Sequence, residues 1–419
     1  MVELDSAAHR RTLLSETGRL LQFGRAAALP AGGFGWLDTR GAVTVGRPAQ
    51  LYVTGRMTHV YSIGSLLGLA GSDHLVDHGL LALSSIFHDM QNGGWYEAID
   101  DEGKVSDPRK TTYGLAFVIL AGASASYAGR PGAPELLEAA LAVSERHVWE
   151  EAEGMVVDSW DRTFSQLDDY RGVNSTMHTV EAYLAAYAAT ERPVWLDRAL
   201  KMTERVLGFA RDAGWRLPEH FDARWEPRLD HNRDRPQDPT RPFGATVGHW
   251  LEWSRLVLQV RAALAGPEGP VHDRLLDAAV VLFDAAVRDG WDVDGRPGFV
   301  YTVDWDGHVV VKTRLHWVLC EALGAAATLA RVTGQESYRR WYATWWAYAE
   351  AHLVDVQNGS WHHELDERNV PSETIRPGKA DLYHAVQAVL LPLLPVGPSV
   401  AQEVKAHLLD AGRTIDPAP

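Results

Sequence analysis

The sequence has very little of what disulfide bonds, membrane insertion or nucleic-acid binding require. Its 419 residues include one cysteine, Cys320, so no disulfide can form within the chain. This thiol lies in an apolar helical run, and we expect it to be an inert core residue. No stretch approaches about 18 uninterrupted apolar residues, so we expect no membrane-spanning helix. The net charge of −15 disfavours nucleic acid and anionic membranes as partners.

The amino-terminal residues also lack the features of a secretory signal. Met1 to Asp5 contain no basic residue and no apolar run. Together with the single cysteine, this predicts a cytoplasmic protein. The composition, 46% hydrophobic and 23% charged, is that of an ordinary globular protein, and its charge places no restriction on a neutral small molecule as partner.

A short turn that ends in tryptophan recurs along the chain. It is Gly-Trp at 35–36, 94–95, 214–215 and 290–291 and Ser-Trp at 360–361, and Gly-Met at 154–155 fills the one gap. From position 36 through 95, 155, 215 and 291 to 361, the spacings are 59, 60, 60, 76 and 70 residues. Six positions in near register indicate an internal repeat. Around most of them the residues predict short hairpins, most clearly Phe299 to Val311, with Asp306-Gly307 at the tight turn.

Each interval between these turns has room for two helices of different character. Residues 192–211 predict an amphipathic helix that begins at Pro193 and has one exposed face. Leu115 to Ala123 and much of Val318 to Ala330 are apolar all round, which is typical of buried helices. Six helical hairpins in an inner and an outer ring satisfy this alternation. We therefore predict an all-α protein, an (α/α)6 barrel with short hairpins in its connecting loops, as one domain over residues 1–419.

The predicted inner helices begin with polar residues although their remainder is apolar. The six starts contain Arg56 and His59, Lys110 and Tyr113, Asn174 and His178, His249 and Glu252, Arg314 and His316, and Asp381 and His384. From 178 through 249 and 316 to 384 the histidines are 71, 67 and 68 residues apart. Inner helices of such a barrel start at one mouth, so we expect these groups to converge on one cavity. Its polar and aromatic side chains suit a small polyhydroxylated ligand.

Two of these starts carry a histidine and a carboxylate three residues apart, His249 with Glu252 and Asp381 with His384. At this spacing the paired side chains share one helical face. A histidine of near-neutral pKa with a carboxylate nearby suits proton transfer at physiological pH, although each pair could be an ordinary polar first turn. We expect His59 to be structural or to support a site residue rather than to be catalytic, and Glu181 to support the site from one turn deeper.

Three irregular segments complete the pattern. Leu217 to Gly244 is long, rich in Pro, Asp and Arg, and leads directly to His249. Loops of this length are usually functional, so we interpret it as a wall or lid of the site, with a tolerated surface insertion as the alternative. Asp292 to Gly295 opens like a calcium loop but lacks the later acidic ligands, so we interpret it as a turn. The pair His362-His363 is assigned no role beyond a rim contact.

Five ordered motifs resemble the N-acylglucosamine 2-epimerase superfamily, within it the branch that contains D-mannose isomerase and sulfoquinovose isomerase. They are Arg-Met-Thr-His-Val-Tyr-Ser (56–62), Asn-Gly-Gly-Trp-Tyr (92–96), Asn-Ser-Thr-Met-His (174–178), Gly-His-x-x-Glu-Trp (248–253) and Asp-Leu-Tyr-His (381–384). The likeness covers nearly the whole chain. It implies an (α/α)6 barrel that interconverts an aldose and a ketose through an enediol, without a metal or other cofactor.

The resemblance also implies roles for individual residues. The catalytic positions fall on His249 and His384, and the substrate-binding or supporting positions on Arg56, Tyr113, Asn174, His178, Glu252, Trp317 and Asp381. The expected substrate is a free monosaccharide, with D-mannose and D-fructose interconverted and D-lyxose and D-xylulose as a further pair. Ala380, directly before Asp381, leaves the exact sugar open.

Several alternatives share part of this pattern. A sugar 2-epimerase, of the mannose/glucose or N-acylglucosamine type, needs the same two histidines, and a sulfoquinovose isomerase belongs to the same branch. An (α/α)6 glycoside hydrolase normally needs two carboxylates flanking the scissile bond. A histidine and a glutamate three residues apart also suit zinc. A non-catalytic sugar-binding protein would have no need of two histidine–carboxylate pairs.

Overall fold

The computed structural model describes residues 2–264, 266 and 268–414. Within them the α-helices are α1 (Ala7–Gly24), α2 (Leu51–Leu66), α3 (Ser72–Ser84), α4 (Thr112–Tyr127), α5 (Ala133–Val143), α6 (Val173–Thr190), α7 (Pro193–Asp212), α8 (Val247–Ala263), α9 (Pro270–Gly290), α10 (His316–Thr333), α11 (Glu336–Tyr348), α12 (Tyr383–Leu390) and α13 (Val400–His407). The domain predicted over residues 1–419 also includes residues 1, 265, 267 and 415–419, which lie outside the described residues.

The even-numbered helices α2 to α12 form a closed inner ring. Each packs against the next, and α12 packs against both α10 and α2, which closes the ring. Outside it, α3, α5, α7, α9 and α11 each pack on the inner helix that precedes them, and α1 packs on α12. This confirms the predicted (α/α)6 arrangement. The additional helix α13 packs against α2, α4 and α6, and its Lys405 binds the carbonyl of Tyr127 at the carboxyl end of α4.

Burial distinguishes the two rings as the sequence patterns predicted. In α4 every residue from Leu115 to Ala125 is buried, and in α10 every residue from Val318 to Ala330 is buried, Cys320 included. In the outer helix α7, Ala199 and Met202 are buried whereas Lys201 is exposed. The inner ring therefore forms the core, and the outer ring shields it from water.

Short antiparallel strands precede the inner helices. They are β1 (Ala49–Gln50), β2 (Ala98–Ile99), β3 (Val105–Asp107), β4 (Lys110–Thr111), β5 (Trp149–Glu150), β6 (Met155–Val156), β7 (Ser159–Trp160), β8 (Arg171–Gly172), β9 (His220–Phe221), β10 (Ala245–Thr246), β11 (Thr302–Val303), β12 (Val309–Val311), β13 (Arg314–Leu315) and β14 (Glu364–Leu365). Strands β1, β4, β8, β10 and β13 run directly into α2, α4, α6, α8 and α10. Their pairings with β2, β7, β9, β11 and β14 therefore fix the first turns of five inner helices.

The sixth inner helix is fixed in a different way. Before α12, the backbone N–H of Lys379 donates to the carbonyl of Leu37, and the Lys379 ammonium binds Asp355 at 2.7 Å. In an earlier repeat, Lys110 binds the buried Asp89 at 3.1 Å in the same manner. In both cases an aspartate at the start of a tryptophan turn anchors the lysine that leads into an inner helix.

Several local predictions are confirmed. Strands β11 and β12 pair as the predicted hairpin, and Asp292 to Gly295 forms a turn from which Asp294 binds Arg314 at 2.7 Å. Among the described residues, no helix is both long enough and apolar enough to cross a membrane.

The closeness of α2 and α4 can be tested at Gly55. A Cβ atom on Gly55 would lie 2.7 Å from the carbonyl oxygen of Phe117, so the two helices would have to separate. We expect Gly55→Ala to lower the free energy of unfolding by about 1–3 kcal/mol, as overpacking does. Denaturant unfolding monitored by tryptophan fluorescence measures this change.

Gly18→Ala in α1 is the matched control, because no atom lies within 4 Å of a Cβ built there. We expect it to leave stability unchanged or to raise it by up to about 1 kcal/mol, since alanine favours helix. Equal stability of Gly55→Ala and the wild type would contradict the close packing.

Candidate active site

All nine predicted site residues line one pocket at the mouth where the inner helices begin. They are Arg56, Tyr113, Asn174, His178, His249, Glu252, Trp317, Asp381 and His384. The space between the lining atoms is about 820 Å³, including the open mouth. His59 is not among the lining residues; it is buried, and its Nδ1 is 2.7 Å from the hydroxyl of Ser124. Its structural assignment is consistent with this position.

His384 is held by a carboxylate that the sequence reasoning missed. Its Nδ1 lies 2.9 Å from Oε1 of Glu321 on α10, whereas Asp381, the predicted partner, binds Arg56. Arg255 on α8 donates from Nε to the other oxygen of Glu321 at 3.0 Å, which favours the ionised carboxylate. An ionised Glu321 accepts a hydrogen bond from Nδ1–H of His384, and Nε2 then remains free to accept a proton.

His249 is also held by an unexpected carboxylate. Its Nδ1 lies 2.8 Å from Oε2 of Glu219, and not against Glu252 one turn further along α8. The backbone N–H of Thr246 donates to the other Glu219 oxygen at 3.3 Å. Glu219 belongs to the irregular segment 217–244, so that segment does form a wall of the pocket, to which His220 and Thr240 also contribute.

Glu252 instead faces the interior of the ring. Neither of its oxygens has a hydrogen-bond partner among the described residues, and Oε1 lies 3.7 Å from Nδ1 of His178 and 3.7 Å from Arg255. Burial and the nearby charge of Glu321 raise the pKa of Glu252 well above its ordinary value. Burial also raises the pKa of Glu321, but only Glu321 accepts a hydrogen bond from Arg255. We therefore assign the proton to Glu252 and the negative charge to Glu321.

Arg56 is fixed by two neighbours that also line the pocket. It donates to Asp381 at 3.1 Å and to the hydroxyl of Tyr113 at 2.9 Å, while its buried Nε has no partner among the described residues. The guanidinium thus has both an ion pair and an unused donor. Glu181 lies deeper, as predicted, where it accepts hydrogen bonds from the hydroxyl of Tyr383 and, at 3.0 Å, from Gln387.

Five of the histidines that line the pocket, His178, His220, His316, His363 and His384, have a pKa lowered by burial and are neutral at pH 7. Burial lowers the pKa of His178 and of His316 to about 4. Burial, reinforced by the positive charge of Arg56, lowers the pKa of His384 well below its ordinary value. A neutral imidazole is the form that accepts a proton, so His384 is ready to act as a base.

An aromatic ring lies near both candidate catalytic histidines. The ring of Trp317 is 5.1 Å from that of His249 and 5.8 Å from that of His384, measured between centroids. His363, assigned only a rim contact from the sequence, is buried in the pocket wall, where it stacks on His316 at 3.7 Å. The structure corrects that assignment.

Carboxylates and histidines approach one another closely enough to suggest a cation site. Ligand atoms of Glu252, Glu321 and His384 lie within 4.8 Å of one another, and the same holds for His178, Glu181 and Glu252. Arg255, which is fully buried, already contacts Glu252 and Glu321. A metal ion there would have to compete with a fixed guanidinium, so these residues fit a metal poorly.

The residues around Glu321 in the sequence indicate that its carboxylate is buried and needs a partner. It is the one carboxylate in the apolar run Val318 to Ala330, and a lone charge in a fully buried helix needs a partner. Glu219 carries no such signal, because it lies in an irregular segment with many charged residues.

The tautomer of His384 can be measured directly. We expect ¹⁵N NMR of labelled protein at pH 7 to show His384 neutral and protonated at Nδ1, because Glu321 accepts that proton. In Glu321→Gln the amide can also donate, so the fraction protonated at Nδ1 should fall. Glu403→Gln on α13, outside the pocket lining, is the control and should leave the signal unchanged. A wild-type His384 protonated at Nε2 would refute the assignment.

Comparison with known proteins identifies relatives of the whole chain. Residues 32–388 match the family model described as N-acylglucosamine 2-epimerase (GlcNAc 2-epimerase). A protein of Thermobifida fusca named D-mannose isomerase is 49% identical over 397 residues, covering 94% of this chain and 97% of the relative. A crystal structure of D-mannose isomerase superposes with a TM-score of 0.84 at 29% identity, covering 93% of this chain and 98% of the other. Cellobiose 2-epimerase from Spirochaeta thermophila shares the fold, with a TM-score of 0.80, 19% identity and coverage of 92% and 97%.

Proposed function

The chain belongs to the N-acylglucosamine 2-epimerase family, and we propose that it is an aldose–ketose isomerase that interconverts D-mannose and D-fructose. The observation that carries the proposal is the pair His249 and His384, which line one pocket with Trp317, each with Nδ1 bound to a carboxylate. Two oriented imidazoles in one pocket are suited to moving protons between neighbouring carbons.

Ring opening is assigned to His249. Glu219 engages its Nδ1, which leaves Nε2 to move a proton between the anomeric hydroxyl and the ring oxygen of the bound pyranose. Glu219 stabilises the imidazolium that forms when Nε2 takes up the proton. The open-chain aldehyde is then available for enolisation.

Proton transfer between C2 and C1 is assigned to His384. Its neutral imidazole removes the C2 proton through Nε2, which gives a cis-enediol, and the imidazolium is stabilised by Glu321. Arg56, fixed by Asp381 and Tyr113, donates to the oxygen on which negative charge develops. The hydroxyl proton on O2 passes to O1, and the imidazolium, which exchanges its proton with solvent, delivers a proton to C1, which gives the ketose. Trp317 supplies an apolar surface for the C–H side of the sugar.

We propose that this chemistry needs no metal, because Arg255 already supplies a positive charge among the carboxylates that would otherwise bind an ion. We also propose the cytoplasm as the compartment, which suits a chain whose one cysteine, Cys320, is a buried free thiol.

Substitution of the two histidines tests their roles. We expect His249→Ala and His384→Ala each to lower kcat for mannose isomerisation by about two orders of magnitude or more, because each removes a positioned acid or base. His59→Ala is the control, since His59 is buried outside the pocket lining, and it should lower kcat much less. Circular dichroism establishes that each variant folds. Near-full kcat in His384→Ala would show that the base is misassigned.

Isotope labelling separates isomerase from epimerase. In D₂O, after exhaustive treatment with EDTA, mannose should give fructose deuterated at C1, with little glucose at early times. One base on one face of a cis-enediol serves both carbons, whereas epimerisation returns the proton to C2 from the opposite face.

Glucose labelled at C2 that forms faster than fructose would identify an epimerase. Loss of all activity on chelation, with recovery on adding Zn²⁺ or Mn²⁺, would instead refute the metal-independent mechanism.

A further inference from the structure

A second pocket opens outward from the active-site pocket. Trp36, Asn174 and Arg376 line both, so the two spaces adjoin at these residues. Five arginines line the outer pocket: Arg47, Arg109, Arg235, Arg241 and Arg376. Five carboxylates line it as well, Glu97, Asp107, Asp158, Asp168 and Asp238, so each arginine has to be considered with its own partners.

Three of the five arginines are neutralised locally. Arg109 binds Asp107 at 2.6 Å, Arg235 lies 3.5 Å from Asp238, and Arg241 lies 3.7 Å from Asp158. These pairs leave little charge for a ligand.

The other two arginines, Arg47 and Arg376, have no such partner. Neither side chain makes a salt bridge or hydrogen bond to any residue that the structure describes, and the Nε of Arg376 is buried without a partner. The guanidinium of Arg47 lies over the ring of Trp36, 3.4 Å from its centroid. Trp36 in turn donates from Nε1 to the carbonyl of Pro377 at 2.7 Å, which connects it to the segment that carries Arg376.

Trp36 thus connects the two arginines, and each lies within the electrostatic influence of the same pocket. Burial lowers the pKa of Arg47, and the positive charge of Arg376 lowers it further. Both side chains are half-buried, so water screens this repulsion incompletely. Asp381, a nearby carboxylate, is already bound to Arg56. An anion between the two arginines would relieve the repulsion and use the donors that are free.

We propose that Arg47 and Arg376 form an anion subsite at the mouth of the active-site pocket, which binds a tetrahedral oxyanion such as a phosphoryl group, either free or carried on a sugar. Guanidinium groups bind such oxyanions through paired N–H donors. The stacking of Arg47 on Trp36 holds one of them in place before the anion arrives. Because the subsite adjoins the pocket, a phosphoryl group on the far end of a bound sugar would reach the same arginines.

Calorimetric titration of the intact protein with sodium phosphate, at ionic strength held constant with chloride, tests the subsite without turnover. We expect saturable binding of phosphate to the wild type. Arg47→Gln and Arg376→Gln should each weaken it at least about tenfold, since each removes one of two charged donors. Arg235→Gln is the matched control, because this arginine lines the same outer pocket but is paired with Asp238, and it should change the Kd less than about twofold.

Mannose 6-phosphate distinguishes the two sources of the anion. Binding tighter than that of phosphate and of mannose alone, and weakened by both substitutions, would show that the subsite takes a phosphorylated sugar. Binding no tighter than that of phosphate would show that it takes the free anion. The proposal is overturned if neither compound binds, or if both bind the Arg47 and Arg376 variants as they bind the wild type. These binding measurements need no catalysis, so their outcome is independent of the test of isomerase activity.

Discussion

The arrangement of the active site depends on one buried cation, Arg255. Its side chain is fully excluded from solvent, binds Glu321 at 3.0 Å and lies 3.7 Å from Glu252. Burying a charge costs several kcal/mol unless partners compensate it, and removal of one partner of a buried pair typically costs about 3–5 kcal/mol. Glu321 therefore stays charged and in place, and through it Nδ1 of His384 is fixed. Arg255 also binds Gln259, which donates to the carbonyl of Gly397 before α13, so the network extends from the pocket towards the opposite end of the barrel.

The repeat explains how different side chains are brought to equivalent positions around one pocket. Five inner helices begin directly after a paired strand, so their first turns occupy equivalent positions around one mouth. The backbone is specified by tryptophan turns, strand pairs and apolar helices that recur from unit to unit. The first-turn side chains that line the pocket differ from unit to unit, whereas others, such as Val173 and Val247, belong to the core. The barrel thus separates stability, which lies in the ring, from chemistry, which lies at the helix starts.

The sequence was sufficient to predict the barrel and the lining of the pocket but not the contacts within it. The repeat and the two helix types follow from periodicity, which is a local property. The partners of the two histidines are 30 and 63 residues away, on a loop and on a neighbouring helix. A spacing of three residues identifies neighbours on the same helix. In a ring of inner helices, a side chain also meets residues of neighbouring helices, and this spacing does not reveal them. Glu252 and Asp381 therefore line the pocket, as predicted. Neither of them, however, is the carboxylate bound to Nδ1 of the histidine three residues away.

The proposed mechanism requires a neutral base and a positive charge close together, and Arg56 contributes to both. A base for the C2 proton has to be uncharged at neutral pH, while the enediol oxygen needs a cationic donor. Burial lowers the pKa of His384, and the charge of Arg56 lowers it further. Arg56 itself stays protonated because guanidinium groups do so in proteins, and Asp381 and Tyr113 hold it in position. In the proposed mechanism the charge of Arg56, together with burial, keeps the imidazole neutral before the reaction and stabilises the oxyanion during it, so proton abstraction and charge stabilisation are linked through one side chain.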